Sequence, residues 1–452
     1  MKEILKGVLS VALVLLIGVL GVVIYGNYAR HAEEQKALEA AQATPSPTPA
    51  PTPEPSPESS AEPVSAANVR LTFCGDIVVH SGINEEAKRP DGSYSYLPVF
   101  GGAEAFVQSA DYAVCTLETT FPETAEYTGY PMFKSPGALA AGLKAFGFDM
   151  INTASNHSMD SYQSGLNRTL DVLDQNGLDH IGTYRSQEER DAGSGIVVKD
   201  INGVSFAFLS FTYGTNGIPV TGFEYAVNIF FNDYTTTLSD INYALLESDL
   251  AAARALDTDM IVVIMHWGNE YYTEPAAYQE GLADFLFEQG ADIVVGGHPH
   301  VPEPMALRRV KDSDGSERTV LLAYSLGNLI SCQDDSYTDL TAALNVDIQK
   351  DLGTGETYLR AVSYAPLYMV DLNDVGVRAD WRYRLWNLRE AIAAYEAGDT
   401  LGVINETLYR AMTAGVEALH GVMDKDFDYY ENGGVDVGAW NENYELNKRS
   451  SD

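Results

Sequence analysis

The chain is poor in cysteine and poor in positive charge. Three cysteines in 452 residues, Cys74, Cys115 and Cys332, cannot build a disulfide framework. Cys74 and Cys115 fall inside apolar runs and read as inert core thiols. Lys and Arg number 28 against 64 Asp and Glu, a formal net charge of −36. That deficit excludes binding of a polyanion through a broad basic surface, nucleic acid included. An anionic substrate would have to be received locally, by a metal ion or a small basic pocket. With 45% apolar and 20% charged residues the composition is globular, which excludes wholesale disorder, collagen and coiled coil. The length predicts two or three units at most.

Charge is also missing locally. Gly7 to Ala29 holds no charged residue, and Val8 to Ile24 is nearly all Val, Leu, Ile and Gly. At ~1.5 Å per residue this run reaches about 34 Å, enough for a hydrocarbon layer of ~30 Å. Lys2 and Lys6 precede it, which favours a cytoplasmic N-terminus and a single-pass anchor in the cell membrane. A cleaved signal peptide is the alternative. Against it, the run exceeds the usual core of ~7–15 residues and no small-x-small site directly follows. Both readings place the rest of the chain outside the cytoplasm. Arg30 to Ala43 is rich in Ala and Glu, and Thr44 to Pro57 carries proline at nearly every second position. That spacing forbids helix and sheet pairing and predicts an extended spacer or tether. The expected organisation is therefore an N-terminus and anchor over 1–29, a linker over 30–67, a catalytic-type domain over 68–372, and a helical extension with a polar tail over 373–452.

From Val69 onward short β-branched runs alternate with amphipathic stretches, an α/β pattern. Six apolar runs each end in polar residues. Val69–Cys74 ends at Gly75-Asp76, Tyr112–Leu117 at Glu118, and Asp149–Ala154 at Ser155-Asn156-His157. Met260–Met265 ends at His266, Ala291–Val295 at Gly296-Gly297-His298-Pro299-His300, and Thr319–Tyr324 at Ser325-Leu326-Gly327-Asn328. Runs without alternation predict strands buried on both faces, and ligands of open α/β sheets gather at the carboxyl ends of such strands. Leu166, Leu170 and Leu173 recur at helical spacing before Gly177, and Tyr278 to Gln289 reads as a second helix stopped by Gly290.

Imidazoles and carboxylates bind borderline divalent ions such as Mn, Zn or Fe, and an Asn oxygen supplies a weaker ligand. Asp76, Glu118, Asn156, His266, His298 and His300 are enough for one metal or for two held close together. His157 is the candidate general acid, oriented by Asp160 or a backbone carbonyl. Glu270 and Asn328 are candidates for orienting the ligands. Trp267 is expected either to stack on substrate or to pack in the core. His80 reads equally as a shifted ligand or a surface residue.

Gly75-Asp76, Leu117-Glu118, Asn156-His157-Ser158-Met159-Asp160, His266-Trp267-Gly268-Asn269-Glu270, Gly297-His298-Pro299-His300 and Ser325-Leu326-Gly327-Asn328 resemble, in order, the motifs of the CapA family. These are poly-γ-glutamate capsule synthesis proteins related to calcineurin-like metallophosphoesterases. The resemblance implies a metallophosphoesterase-like layered sandwich with helices flanking β-sheets. It implies that Asp76 holds a first metal, Glu118 bridges, Asn156, His266 and His298 hold a second, His300 returns to the first, and His157 is the acid. The sequence departs from the phosphoesterase pattern at Val78, where a histidine is usual, and in bridging through Glu rather than Asp.

Three functions are then expected in competition. One is a membrane-anchored, metal-dependent, hydrolase-like protein of capsule synthesis or export, with γ-polyglutamate and membrane synthase subunits as partners. The others are an envelope phosphoesterase acting on a phosphate ester, and a non-catalytic scaffold that binds polymer.

Overall fold

The computed structural model describes residues 65–312 and 314–451. The expected anchor over 7–29 and nearly all of the expected linker over 30–67 lie outside the described residues. Among the described residues no helix is long and apolar enough to cross a membrane.

The strands, in chain order, are β1 (Ala66–Ile77), β2 (Tyr112–Leu117), β3 (Met150–Asn152), β4 (Asp179–Ile181) and β5 (Val197–Ile201). They continue with β6 (Val204–Thr212), β7 (Met260–His266), β8 (Ile293–Gly297), β9 (Met305–Lys311) and β10 (Glu317–Ala323). The last are β11 (Asn328–Ile330), β12 (Leu340–Asp351), β13 (Thr357–Asp371), β14 (Tyr383–Asn387) and β15 (Val435–Asp436). One sheet runs β14-β13-β12-β1-β2-β3-β4, with β11 beside β1 and β15 beside β13; the other runs β5-β6-β7-β8-β10-β9. Neighbours within β1 to β4 are parallel, and so are those within β6, β7, β8 and β10. Strands β12, β13 and β14 extend the first sheet in antiparallel fashion.

The two sheets pack face to face. Leu71 and Phe73 of β1 and Leu344 of β12 share one buried cluster with Phe206 and Phe208 of β6 and Val262 of β7. The alternate residues of the same strands point outward. Ala113, Cys115 and Ile151 meet the helices Ala138–Phe146 and Tyr162–Gln175. Ala207, Leu209 and Val263 meet the helices Tyr243–Ala255 and Ala277–Glu288. The order of layers is helix, sheet, sheet, helix, and it explains the unalternating runs. A central strand such as β7, Met-Ile-Val-Val-Ile-Met-His, is buried at every residue because both of its faces are covered. All six apolar runs expected as strands are strands.

The C-terminal segment differs from the expectation. The helical extension expected over 373–452 contains β14, paired residue by residue with Leu367–Asp371 of β13. Only then does a helix begin, at Leu388, with the Asn387 side chain accepting from the amides of Arg389 and Glu390. The helix Glu406–Met423 sends Leu408, Met412, Val416 and Leu419 into the large buried cluster. The polar tail forms a helix over Val437–Ser451. Asp436 accepts from the amide of Ala439 at its start, and Asn441 accepts from the Thr319 hydroxyl at 2.7 Å. Residues 373 onward therefore share the compact unit of the head rather than standing apart from it.

Candidate metal centre

The carboxyl ends of the parallel strands of both sheets meet at one edge. Asp76 is the penultimate residue of β1 and lies in register with Asn328 of β11. Glu118 directly follows β2, and Asn156 and His157 sit on the turn after β3. His266 closes β7 in register with Gly297 of β8, and His298 and His300 follow. The loop after β8 is bent hard to do this. His298 and His300 have φ of 99° and 62°, in the left-handed region that side chains seldom adopt. Conformations of that kind cost on the order of 1–3 kcal/mol each and cluster at functional sites. Gly297 admits the approach: a Cβ there would lie 2.4 Å from Asp76 Oδ1.

Two ligand groups result, each with its donor atoms within 4.8 Å of one another: Asp76, Glu118 and His300, and Glu118, His266 and His298. Glu118 belongs to both. All five are buried, Asp76 and Glu118 completely. Asp76 Oδ2 accepts from the His298 amide at 2.7 Å. His266 Nε2 lies 2.8 Å from Asn156 Oδ1 and 3.2 Å from Glu118 Oε1. His300 Nδ1 lies 3.0 Å from Asn328 Oδ1, which fixes that imidazole as a positioning residue would. Asp76 Oδ1, both Glu118 oxygens, His266 Nδ1 and His298 Nδ1 are buried with no hydrogen-bond partner.

That arrangement is costly for protein groups alone. Burial pushes the Asp76 carboxyl up to about 7, and burial together with the Asp76 charge pushes Glu118 well above the carboxylate range. Burial and neighbouring imidazoles hold His266 and His298 well below the usual histidine value, and burial takes His300 down to about 4. Neutral imidazoles beside carboxylates that lack a counter-charge are the donor set a borderline divalent cation requires. The residues fit the group.

His157 stands beside this cluster. Its Nδ1 lies 2.7 Å from Asp160 Oδ2, and the same oxygen accepts from the Phe133 amide at 2.5 Å. The Phe133 ring meets the imidazole edge-on at 4.6 Å. Asn216 links it to the ligands: its Oδ1 accepts from Asn156 Nδ2 at 3.1 Å, and its Nδ2 lies 3.4 Å from both His157 ring nitrogens. Sequence reasoning missed Asn216 and Tyr213, whose ring lies 4.5 Å from that of His298. Both follow β6, a strand absent from the six apolar runs. Its polar end, Thr212-Tyr213-Gly214-Thr215-Asn216, carries the same signal as the others.

The remaining candidates divide. Trp267 packs in the core: it is fully buried on the outer face of the second sheet and donates from Nε1 to the Tyr324 carbonyl at 2.9 Å. Glu270 groups with His298 and His300 within 4.8 Å. His80 is in none of these groups; its ring packs edge-on against Phe133 at 4.9 Å. Val78 is fully buried in the apolar core. A hollow of about 720 Å³ opens beside His298, bounded by Tyr213, Leu238, Glu270, Tyr272 and Tyr278, with no Lys or Arg among its lining residues.

Comparison with known proteins bears on the same residues. Residues 70–333 match the family described as bacterial capsule synthesis protein PGA_cap. The chain is 28% identical over 287 residues to PGA biosynthesis protein CapA of Bacillus subtilis (strain 168), covering 63% of this chain and 68% of that protein. It is 27% identical over 289 residues to capsule biosynthesis protein CapA of Bacillus anthracis, covering 63% of this chain and 64% of that protein, less than two thirds of its length. Among solved structures, a novel phosphatase from Mycoplasma pneumoniae superposes with a TM-score of 0.37 at 15% identity, covering 66% of this chain and 93% of that one. The buried acid and histidine cluster, from Asp76 to Asn328, lies wholly inside the matched interval.

Proposed function

The chain belongs to the bacterial capsule synthesis protein family, and from that premise we propose that its head is a divalent-metal-dependent, hydrolase-like centre. It serves synthesis or export of an anionic capsule polymer of the poly-γ-glutamate type. In this reading the fold is a metallophosphoesterase-like sandwich, held outside the cytoplasm by the anchor expected at residues 7–29, with membrane synthase subunits as partners. One observation carries the proposal: Glu118 is shared by two ligand groups in which Asp76 Oδ1, both Glu118 oxygens, His266 Nδ1 and His298 Nδ1 are buried with no hydrogen-bond partner.

Asp76 and His300 would hold an ion on one side of Glu118, and His266 and His298 would hold one on the other, with the Asn156 oxygen beside His266. Bound there, a divalent ion supplies Lewis acidity, polarising a phosphoryl or carbonyl oxygen and making water acidic. The protein supplies the rest. Asp160 holds the Nδ1–H of His157, so that the doubly protonated ring would give its Nε2 proton to a leaving group. Asn328 orients His300, and Phe133 keeps the His157 ring upright. A phosphate ester is the second reading. The His157–Asp160 pair favours either hydrolytic reading over a protein that only binds polymer, which needs no acid beside the ligands.

The test takes the full-length protein in detergent, loads it with Mn or Zn, and measures bound metal together with hydrolysis of phosphate esters and γ-glutamyl polymer. One or two equivalents are expected. His157→Ala is expected to lower turnover by a factor of about 10²–10⁴ with metal content unchanged. A loaded protein that retains no metal would sink the proposal. Metal without turnover on either substrate class would leave only the polymer-binding role.

A further inference from the structure

Glu270 is the one carboxylate at this centre that the reading above leaves without a role. It lies on the loop after β7 and its side chain is 43% exposed, whereas Asp76 and Glu118 are fully buried. One of its oxygens lies within 4.8 Å of ring nitrogens on both His298 and His300, and Oε1 is 3.9 Å from His300 Nε2. That is too long for a hydrogen bond. It is the spacing of donors that meet on a third atom.

The loop is fastened on both sides of Glu270 to the segment that carries the two histidines. The Trp267 amide donates to the Gly297 carbonyl at 3.1 Å, and the Tyr271 amide to the Pro299 carbonyl at 2.8 Å. Gln333 adds a bond from Nε2 to the Tyr271 hydroxyl at 3.1 Å. The second, independent observation is His298: it is 4% exposed, and its Nδ1 has no partner. On the other side, the strand end beyond Asp76 offers no further side-chain donor, because Val78 and Val79 are buried and apolar.

We propose that Glu270 is a direct ligand at the divalent-metal centre, placed between His298 of one ligand group and His300 of the other, and the one anionic ligand that solvent reaches. The inference rests on the reading of this cluster as a metal centre. An incoming anion meets the Glu270 carboxylate before any buried ligand, so Glu270 is the ligand it would displace.

Titration of the metal-free, full-length protein with Mn²⁺, read by calorimetry and by the paramagnetic resonance of free Mn²⁺, tests this without reference to activity. Glu270→Gln and Glu270→Ala are both expected to weaken one Mn²⁺ site by about tenfold or more. Asp335→Asn, which removes an exposed acid from the field at Glu270, is expected to leave the titration unchanged. Equal melting temperatures of the metal-free variants exclude a folding defect. If both Glu270 variants titrate like the wild type while the wild type binds Mn²⁺, this inference alone is overturned. If the wild type takes up no Mn²⁺, the metal centre itself falls, and the inference with it.

Discussion

Among the described residues two clusters combine acids with imidazole at ligand spacing, and they differ in what surrounds them. His420, Asp428 and Glu431 bring three donor atoms within 4.8 Å, as the groups around Glu118 do. There, however, every charge is answered. Asp428 is fully buried, but its Oδ2 lies 2.8 Å from His420 Nε2 and 3.4 Å from Arg389 Nε, while its Oδ1 accepts from the Tyr430 amide at 2.8 Å. Arg389 also donates to Glu431. The guanidinium occupies the position of a cation and leaves no vacancy for one. At the edge formed by Asp76, Glu118 and the three histidines, Asp76 Oδ1, both Glu118 oxygens, His266 Nδ1 and His298 Nδ1 are left without hydrogen-bond partners instead. Residue types and distances are alike in the two places; the counter-charge separates a brace from a binding centre.

The comparison breaks if mutation fails to separate them. The largest change in stability is expected at the brace. Asp428→Ala removes the buried carboxylate that braces His420 and the partly exposed Arg389, and should cost about 2–3 kcal/mol in denaturant unfolding, with the Mn²⁺ titration unaltered. At the centre the sign should reverse with conditions. In chelator, Glu118→Gln removes a buried carboxyl that the fold leaves without a hydrogen-bond partner and should stabilise the protein by about 1–3 kcal/mol; with metal present, the same change should lower the melting temperature and the metal affinity. A Glu118→Gln protein less stable than wild type in chelator would place Glu118 with the brace.

A neutral case sharpens the contrast. Glu303 is fully buried, with Oε2 accepting from Gln279 Nε2 at 3.0 Å and Oε1 unpartnered. Burial pushes its carboxyl up to about 8 from an ordinary 4.5. The folded state holds the proton more tightly than the unfolded chain. The stability it contributes is therefore complete below pH 4.5 and lost as pH rises through about 8. Glu303→Gln should flatten that part of the pH–stability curve, and an unchanged slope would show that the carboxyl is not neutral in the fold.

The strands that carry the ligands were legible because both of their faces are covered, which leaves unalternating apolar runs followed by polar residues. The same rule applied to β6 would have found Tyr213 and Asn216. What was not legible has a common cause. In β14, Tyr-Arg-Leu-Trp-Asn is too short for alternation to be told from a first helical turn, and pairing with β13 decides it. The polar tail becomes a helix through contacts far away in sequence, such as Asn441 with Thr319. Trp267 sits between two histidine motifs, yet its direction follows from strand periodicity: His266 closes β7 facing the cluster, so the next residue turns into the opposite layer. The orphaned state of Glu118 was beyond sequence altogether, since it depends on which charges fail to arrive.

One hydrogen bond described above has a wider reach. The His298 amide, at the end of one sheet, is seated on the Asp76 carboxylate, at the end of the other, and only a hydrogen atom at Gly297 lets them touch. The two halves of the sandwich are thus sewn at the place where the chemistry is proposed. A chain that assembled its sheets one residue out of step would lose the seam and the ligand geometry together, so metal uptake doubles as an inspection of the finished product.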